Sequence, residues 1–328
     1  MTTAKTTINP AKLGSSGSRR GTRGRKSQAV DPSLNFSAAE GWRRRAPLLP
    51  ALIFTIVVTQ VPFLLTIWYS LRNWNLLRPG SDQFVFLKNY ADIFLNSTFR
   101  SAALNSVLIT LACVLVAMIL GIFLAILLDR SFRGRSVVRT LLITPFLIMP
   151  AASATLWSVS MLNPSFGLVN WLTSLLGLPA VDWTSKYPVL SILIALVWQW
   201  TPFMMLLVLA GLQAQPKDVL EAAQIDGAGW WKTFAFVTLP QLRRYIELGV
   251  LLGAIYVVNT FDQIYLMTAG GPGTASANLP FYIYQRAFLG FDIGQSAAMG
   301  VVTVIATIVI ATFALRLIFR SFDTKDAL

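Results

Sequence analysis

Residues 221–240 read Glu221-Ala-Ala-Gln-Ile-Asp226-Gly227-Ala-Gly-Trp-Trp-Lys-Thr-Phe-Ala-Phe-Val-Thr-Leu239-Pro240. Apolar runs flank this stretch at about 189–213 and 245–267. Its charged and amide side chains are costly in hydrocarbon, so the chain leaves the bilayer here and displays the stretch on one face. Pro216 suits the first turn of a helix, where a missing N–H costs nothing. Asp218 and Glu221 complement the positive helix start, and Gly227 ends the helix through a left-handed residue. The pattern predicts a helix over about 216–226. Val219, Ala222, Ala223 and Asp226 share one flank at i, i+3, i+4 and i+7. The paired alanines leave little bulk, so another protein surface can approach the backbone closely, between the charges of Glu221 and Asp226. Trp230, Trp231, Phe234 and Phe236 form a second, amphipathic piece suited to a membrane interface. Leu239-Pro240 then opens the next apolar segment.

Working outward, the 328 residues are 55% hydrophobic and 12% charged, with a mean hydropathy of +0.62. A soluble domain carries about 25% charged residues. The deficit lies in runs long enough to span a bilayer. Spans are expected at about 48–71, 104–128, 137–158, 189–213, 245–267 and 297–319. The predicted fold is all-α integral membrane, with six transmembrane helices and a cytoplasmic helix in the loop 214–244, between the fourth and fifth. The membrane domain covers 46–322, after a disordered basic tail at 1–45 and before a short tail at 323–328. Pro62, Pro145, Pro150 and Pro202 interrupt the first, third and fourth spans. Such prolines mark either helices kinked around a cavity or packing kinks alone.

The net charge of +13 invites a nucleic-acid reading, but ten of the 27 Lys and Arg precede the first apolar run. A basic tail ahead of a span is more simply an orientation signal. With the N-terminus inside, the inner segments hold 21 Lys and Arg and the outer ones six, a strong positive-inside asymmetry. Both termini and the 214–244 loop are therefore expected in the cytoplasm. Gly21 to Ser27 faintly evokes a phosphate loop, but Arg25 stands where Gly is required. The tail is too long and polar for a secretory signal. One cysteine, Cys113, and no histidine exclude a disulfide framework and most zinc sites.

Outside, residues 72–103 and 159–188 carry Trp74, Phe84, Phe86, Tyr90, Trp171 and Trp183, read as interfacial anchors or as short helices along the outer surface. Among the spans, Tyr256, Asn259 and Gln263 fall at i, i+3 and i+7, with Thr260 and Asp262 beside them. Trp198-Gln199-Trp200-Thr201-Pro202 places an amide between two indoles at a kink. Amides and rings suit a polyhydroxylated ligand, the former pairing hydroxyls and the latter covering C–H faces. Gln199, Trp200, Tyr256, Asn259, Asp262 and Gln263 are thus candidates for a substrate path. Their alternative is plain interhelical hydrogen bonding and packing.

Glu221-Ala222-Ala223, Asp226-Gly227-Ala228 and the Leu239-Pro240 pair resemble, in type and spacing, the cytoplasmic loop of ATP-binding-cassette importer permeases of the carbohydrate-uptake branch. Phe261-Asp262-Gln263-Ile264-Tyr265-Leu266-Met267-Thr268-Ala269-Gly270-Gly271-Pro272-Gly273 looks like the fifth-span exit of the same permeases. Asn163-Pro164, Trp198-Gln199-Trp200 and Gly270 to Ser276 look most like the mannitol- and sorbitol-type members. The resemblance covers about 45–322; the basic tail lies outside it. It implies a coupling helix seated in an ATPase subunit, with Glu221, Ala222, Ala223, Asp226 and Gly227 in contact. It also implies two ATP-binding subunits holding ATP and Mg, a second and different permease subunit, and an extracytoplasmic binding protein. The chain itself would hold no cofactor or metal and catalyse nothing, in a bacterial cytoplasmic membrane. The Gly270–Gly273 turn is read as a flexible outer loop, either plain or contacting that binding protein. The rival reading is an ion-coupled secondary transporter. Such proteins place ionisable groups mid-membrane and show internal repeats, and neither is evident here.

Overall fold

The computed structural model describes residues 46–323, so the basic tail, its phosphate-loop-like stretch and the last five residues lie outside the described residues. Residues 46–58 belong to a unit separate from the one that begins at Thr59, and the packing below concerns the latter.

Helix α1 (Leu49–Ser70) contains Pro62 and matches the first expected span. A two-stranded antiparallel ribbon follows, β1 (Arg72–Asn73) with β2 (Gln83–Phe84), closed by an Arg72–Asp82 ion pair at 2.8 Å. Helix α2 (Lys88–Leu95) is tied to it by the buried Asn89, whose amide donates to the carbonyls of Ser70 and Arg72. The aromatic segment after the first span is thus a ribbon and a short helix. Helix α3 (Ser97–Asp129) starts well before residue 104, because the Asn96 side chain accepts from the N–H groups of Thr98 and Phe99. At 33 residues and ~50 Å it overreaches the hydrocarbon core.

The third span departs from expectation. Helix α4 (Arg135–Leu147) and α5 (Pro150–Thr155, continued by a wide turn to Met161) form a broken pair bent by 98°. Pro150 cannot donate to a continuing helix and biases Met149 toward an extended conformation, which Met149 adopts with ψ 136°. Short helices α6 (Leu168–Ser174) and α7 (Trp183–Lys186) are joined by Asn170, whose side chain bonds the backbone of Asn163 and Val181 and the Trp183 indole.

Helix α8 (Pro188–Gln213) holds Pro202 yet continues through it. Helix α9 (Lys217–Ile225) and the single turn α10 (Trp230–Thr233) lie in the polar island. Helix α11 (Leu239–Val258) stops at Asn259, and α12 (Asp262–Met267) resumes after Phe261. The fifth span is therefore also broken, where a continuous helix over 245–267 was expected. Helices α13 (Leu279–Tyr284) and α14 (Ile293–Asp323) complete the described chain. Among the described residues three helices, α1, α3 and α8, are long and apolar enough to cross a membrane, or four with the bent pair.

The core sits where α3, α8 and α11 meet. Ile109, Met118, Met204, Met205, Leu209 and Leu242 are buried there. Gly121 lets α3 touch α8: a Cβ in its place would come within 2.7 Å of the Met204 Cβ and 2.8 Å of the Met205 N. Along α11, Gly253 lies against Val114 of α3 and Gly249 against Met118, while Gly253 lies against Met204 of α8 and Leu242 and Tyr245 against Gly211, so α11 runs antiparallel to both and α3 and α8 run parallel. The loop 130–134 and the island 214–238 thus share one end of the bundle.

Candidate functional site

The island has a built geometry. Pro216 takes the N-cap position with ψ 128°, and α9 runs for nine residues from Lys217. Gly227 adopts φ +76°, the Gly227 N–H donates to the Gln224 carbonyl and the Ala228 N–H to the Ala223 carbonyl. These two bonds make a Schellman cap, satisfying carbonyls that a helix end would otherwise leave open. Glu221, Ala222, Asp226 and Gly227 are exposed, and Ala223 is half-buried. Ile225 is 86% exposed, a large apolar side chain left open among the described residues. Behind α9, Trp230 stacks on Phe234 at 5.8 Å and 7°, and the Gln215 amide donates to the Thr238 carbonyl across the base of the loop. The helix is therefore a short, self-capped knob on a braced stalk.

The six expected path residues divide into three groups. The first is a relay. Buried Gln263 donates from Nε2 to Gln199 Oε1 at 2.7 Å, and Gln199 Nε2 donates to the Ile148 carbonyl at 3.0 Å. Ile148 is the residue at the bend of the third span, Gln199 lies one turn before Pro202, and Gln263 opens the segment after the fifth-span break. Ala154, Leu162, Ala195 and Met267 pack alongside. For these two glutamines the geometry is interhelical bonding.

The second group is open. Trp200 stacks on Tyr256 at 5.4 Å with 26° between the rings, and Tyr256 is 59% exposed. Asn259 is exposed too, but it caps α11 and its amide donates to the Ile255 carbonyl, so the expected stripe of Tyr256, Asn259 and Gln263 does not exist. The break turns Gln263 inward while the other two stay outside. Asp262, half-exposed in the first turn of α12, forms the third group and complements a helix start.

The sequence reading missed what holds the far end. Asn105 donates to the carbonyls of Ala275 and Ala277, Ser106 accepts from the Leu279 N–H, and Asn278 donates to the Thr260 carbonyl. Ser276 bonds Thr268 and the Gly271 carbonyl. The Gly270–Gly273 turn is therefore fastened at its flanks rather than free. Asn105-Ser106 heading an apolar run was the available signal.

This architecture defines a class: a polytopic helical membrane protein with broken mid-bundle helices and an exposed, self-capped helix between two of its long apolar segments. Residues 117–324 match the family model described as the binding-protein-dependent transport system inner membrane component, and the chain belongs to that family. It is a permease subunit of an ABC importer, not its ATPase. It is 37% identical over 274 residues to a probable ABC transporter permease of Sinorhizobium fredii, covering 83% of this chain and 88% of that one. It is 36% identical over 258 residues to the trehalose/maltose transport system permease MalF of Thermococcus litoralis, covering 78% and 86%. Among solved structures it shares the fold of a bacterial ABC transporter involved in the import of the acidic polysaccharide alginate. The TM-score there is 0.74 at 22% identity, over 86% of this chain and 96% of that one.

Proposed function

We propose that this chain forms half of the membrane path for a sugar or polyol delivered by an extracytoplasmic binding protein. In this reading α9 is the coupling helix of a six-span permease whose termini and loop 214–244 face the cytoplasm. Two ATPase subunits holding ATP and Mg dock there, through Glu221, Ala222, Ala223, Asp226 and Gly227. A second, different permease completes the path. The supporting observation is the exposed α9 knob, with its small-residue flank and uncovered Ile225. Closure of the ATPase dimer would carry the capped helix as one piece, and the Gln215–Thr238 brace would pass that motion to α8 and α11.

A carbohydrate cargo draws support from relatives named for trehalose, maltose and sn-glycerol-3-phosphate transport. It also draws on the open Trp200–Tyr256 pair, whose rings suit the C–H faces of a sugar. The test has two arms. Glu221→Lys and Gly227→Pro variants should insert normally and lose ATP-driven uptake of labelled sugar; unchanged uptake removes α9 from coupling. Calorimetry of the cognate binding protein against a panel of sugars and polyols identifies the cargo, and binding only of a non-hydroxylated solute refutes that half.

A further inference from the structure

The 98° bend of the third span leaves a slot that its second half does not fill. Val116 and Leu124 of α3, Leu142 and Pro145 of α4, and Leu193 and Val197 of α8 line a cavity of about 590 Å³. A second cavity shares Leu124 and Leu142 with the first and continues to Arg130, Ser131 and Phe132. Together they follow α3 for about 21 Å from Val116 to Arg130, somewhat more than the hydrocarbon half-thickness of one leaflet.

The loop end of the slot is basic. Arg130, Arg133, Arg135 and Arg139 face one neighbouring carboxylate, Asp129, and among the described residues none of the four is in an ion pair. Arg135 precedes Val138, Leu142 and Pro145 on one face of α4, at i, i+3, i+7 and i+10, which puts it on the slot side of the helix at its loop end.

We infer that this slot is a binding site for one anionic phospholipid, its acyl chain along α3 and its phosphate against Arg130 and Arg135. Charge decides the headgroup: basic clusters at a membrane surface attract anionic lipid. The lining decides the tail: the walls along α3, α4 and α8 are apolar, and charge enters only at the Arg130 end. A flexible chain can follow the slot's whole length, restoring the dispersion contacts that the bend removes from the lining side chains.

Trp157 and Trp198 line the slot and pack edge to face at 5.8 Å, which supplies a reporter. The assembled importer is placed in phosphatidylcholine nanodiscs doped with phosphatidylglycerol or phosphatidylcholine brominated in the acyl chain. Quenching is read as the difference from a Trp157→Phe/Trp198→Phe variant. Brominated phosphatidylglycerol should quench this signal about threefold more than brominated phosphatidylcholine at equal mole fraction. Arg130→Gln with Arg135→Gln should bring that ratio to about one. Ala112→Phe, which fills the slot, should reduce quenching by both lipids. Equal quenching by the two lipids in the unaltered importer overturns the site and leaves ordinary bulk lipid. Absence of quenching by either means that the second permease covers the slot, and overturns it as well. Free inorganic phosphate displacing neither lipid separates a lipid site from a simple anion site, and displacement of both headgroups' signal by phosphate counts against it.

Discussion

Two regions of this molecule answer the same demand, satisfying a helix end, in opposite ways. The α9 knob does so locally: Gly227 and Ala228 donate back to carbonyls three and five residues earlier, and the result stands exposed. The mid-bundle breaks do so at long range, Ile148 receiving its bond from Gln199, 51 residues later, which in turn receives one from Gln263, 64 residues further on. A local solution leaves a surface free for a partner; a distributed one locks several elements together. Substitutions in the bundle should therefore register mainly as stability, and substitutions in the knob mainly as transport.

The largest stability loss is expected from Gly121→Leu. Its side chain would push into Met204 and the α8 backbone, and overpacking of this kind costs about 3 kcal/mol. Thermal unfolding of the purified subunit complex measures it, and an unchanged midpoint would mean that α3 and α8 are not in contact. Next comes Gln263→Leu, expected to destabilise by ~1–2 kcal/mol by stripping Gln199 of a buried donor. A double-mutant cycle with Gln199→Leu should return a coupling of about 0.6–1.7 kcal/mol, and strict additivity would dissolve the relay. Gly227→Ala is smaller: a Cβ there meets nothing within 4 Å, so only the left-handed backbone is strained, by roughly 1 kcal/mol, and uptake should persist. Smallest of all, Ala222→Trp should change stability by no more than ~0.5 kcal/mol, yet uptake should fall to background because the docking flank is filled. If Ala222→Trp transports normally, the contrast between the two regions fails.

That contrast also explains which parts were legible in the sequence. The knob is written in adjacent residues: Pro216 to open, Asp218 in the first turn, Gly227 to close, and α9 runs over 217–225 where 216–226 was expected. The first and fourth spans, α1 and α8, are equally local, their apolar runs ending within a residue or two of the expected bounds. The breaks were not legible to the same degree. Pro145 and Pro150 announce a disturbance but not a 98° turn, which depends on α5 finding Ala195 and Met267 to pack against. Nothing near Asn259 marks the end of α11, since no proline or glycine stands there; the interruption is held by Asn278 reaching back to Thr260. The candidate path residues were misgrouped for that reason. A 3.6-residue stripe presumes a continuous helix, and this one stops at its middle member.

The fastening of the far end has a mechanical corollary. Asn105 and Ser106 near the start of α3, and Asn278 just past the C-terminal end of α11, make directional bonds at one end of the bundle, whereas further along the same helices face α8 across thioether and methyl groups of Met118, Met204 and Met205. Directional bonds resist shear, while a sulfur-lined seam of flexible side chains re-packs at little cost. Stiffness is thus allotted to one pole of the subunit and slip to its waist, so rods gripped at the top remain free to slide past one another below.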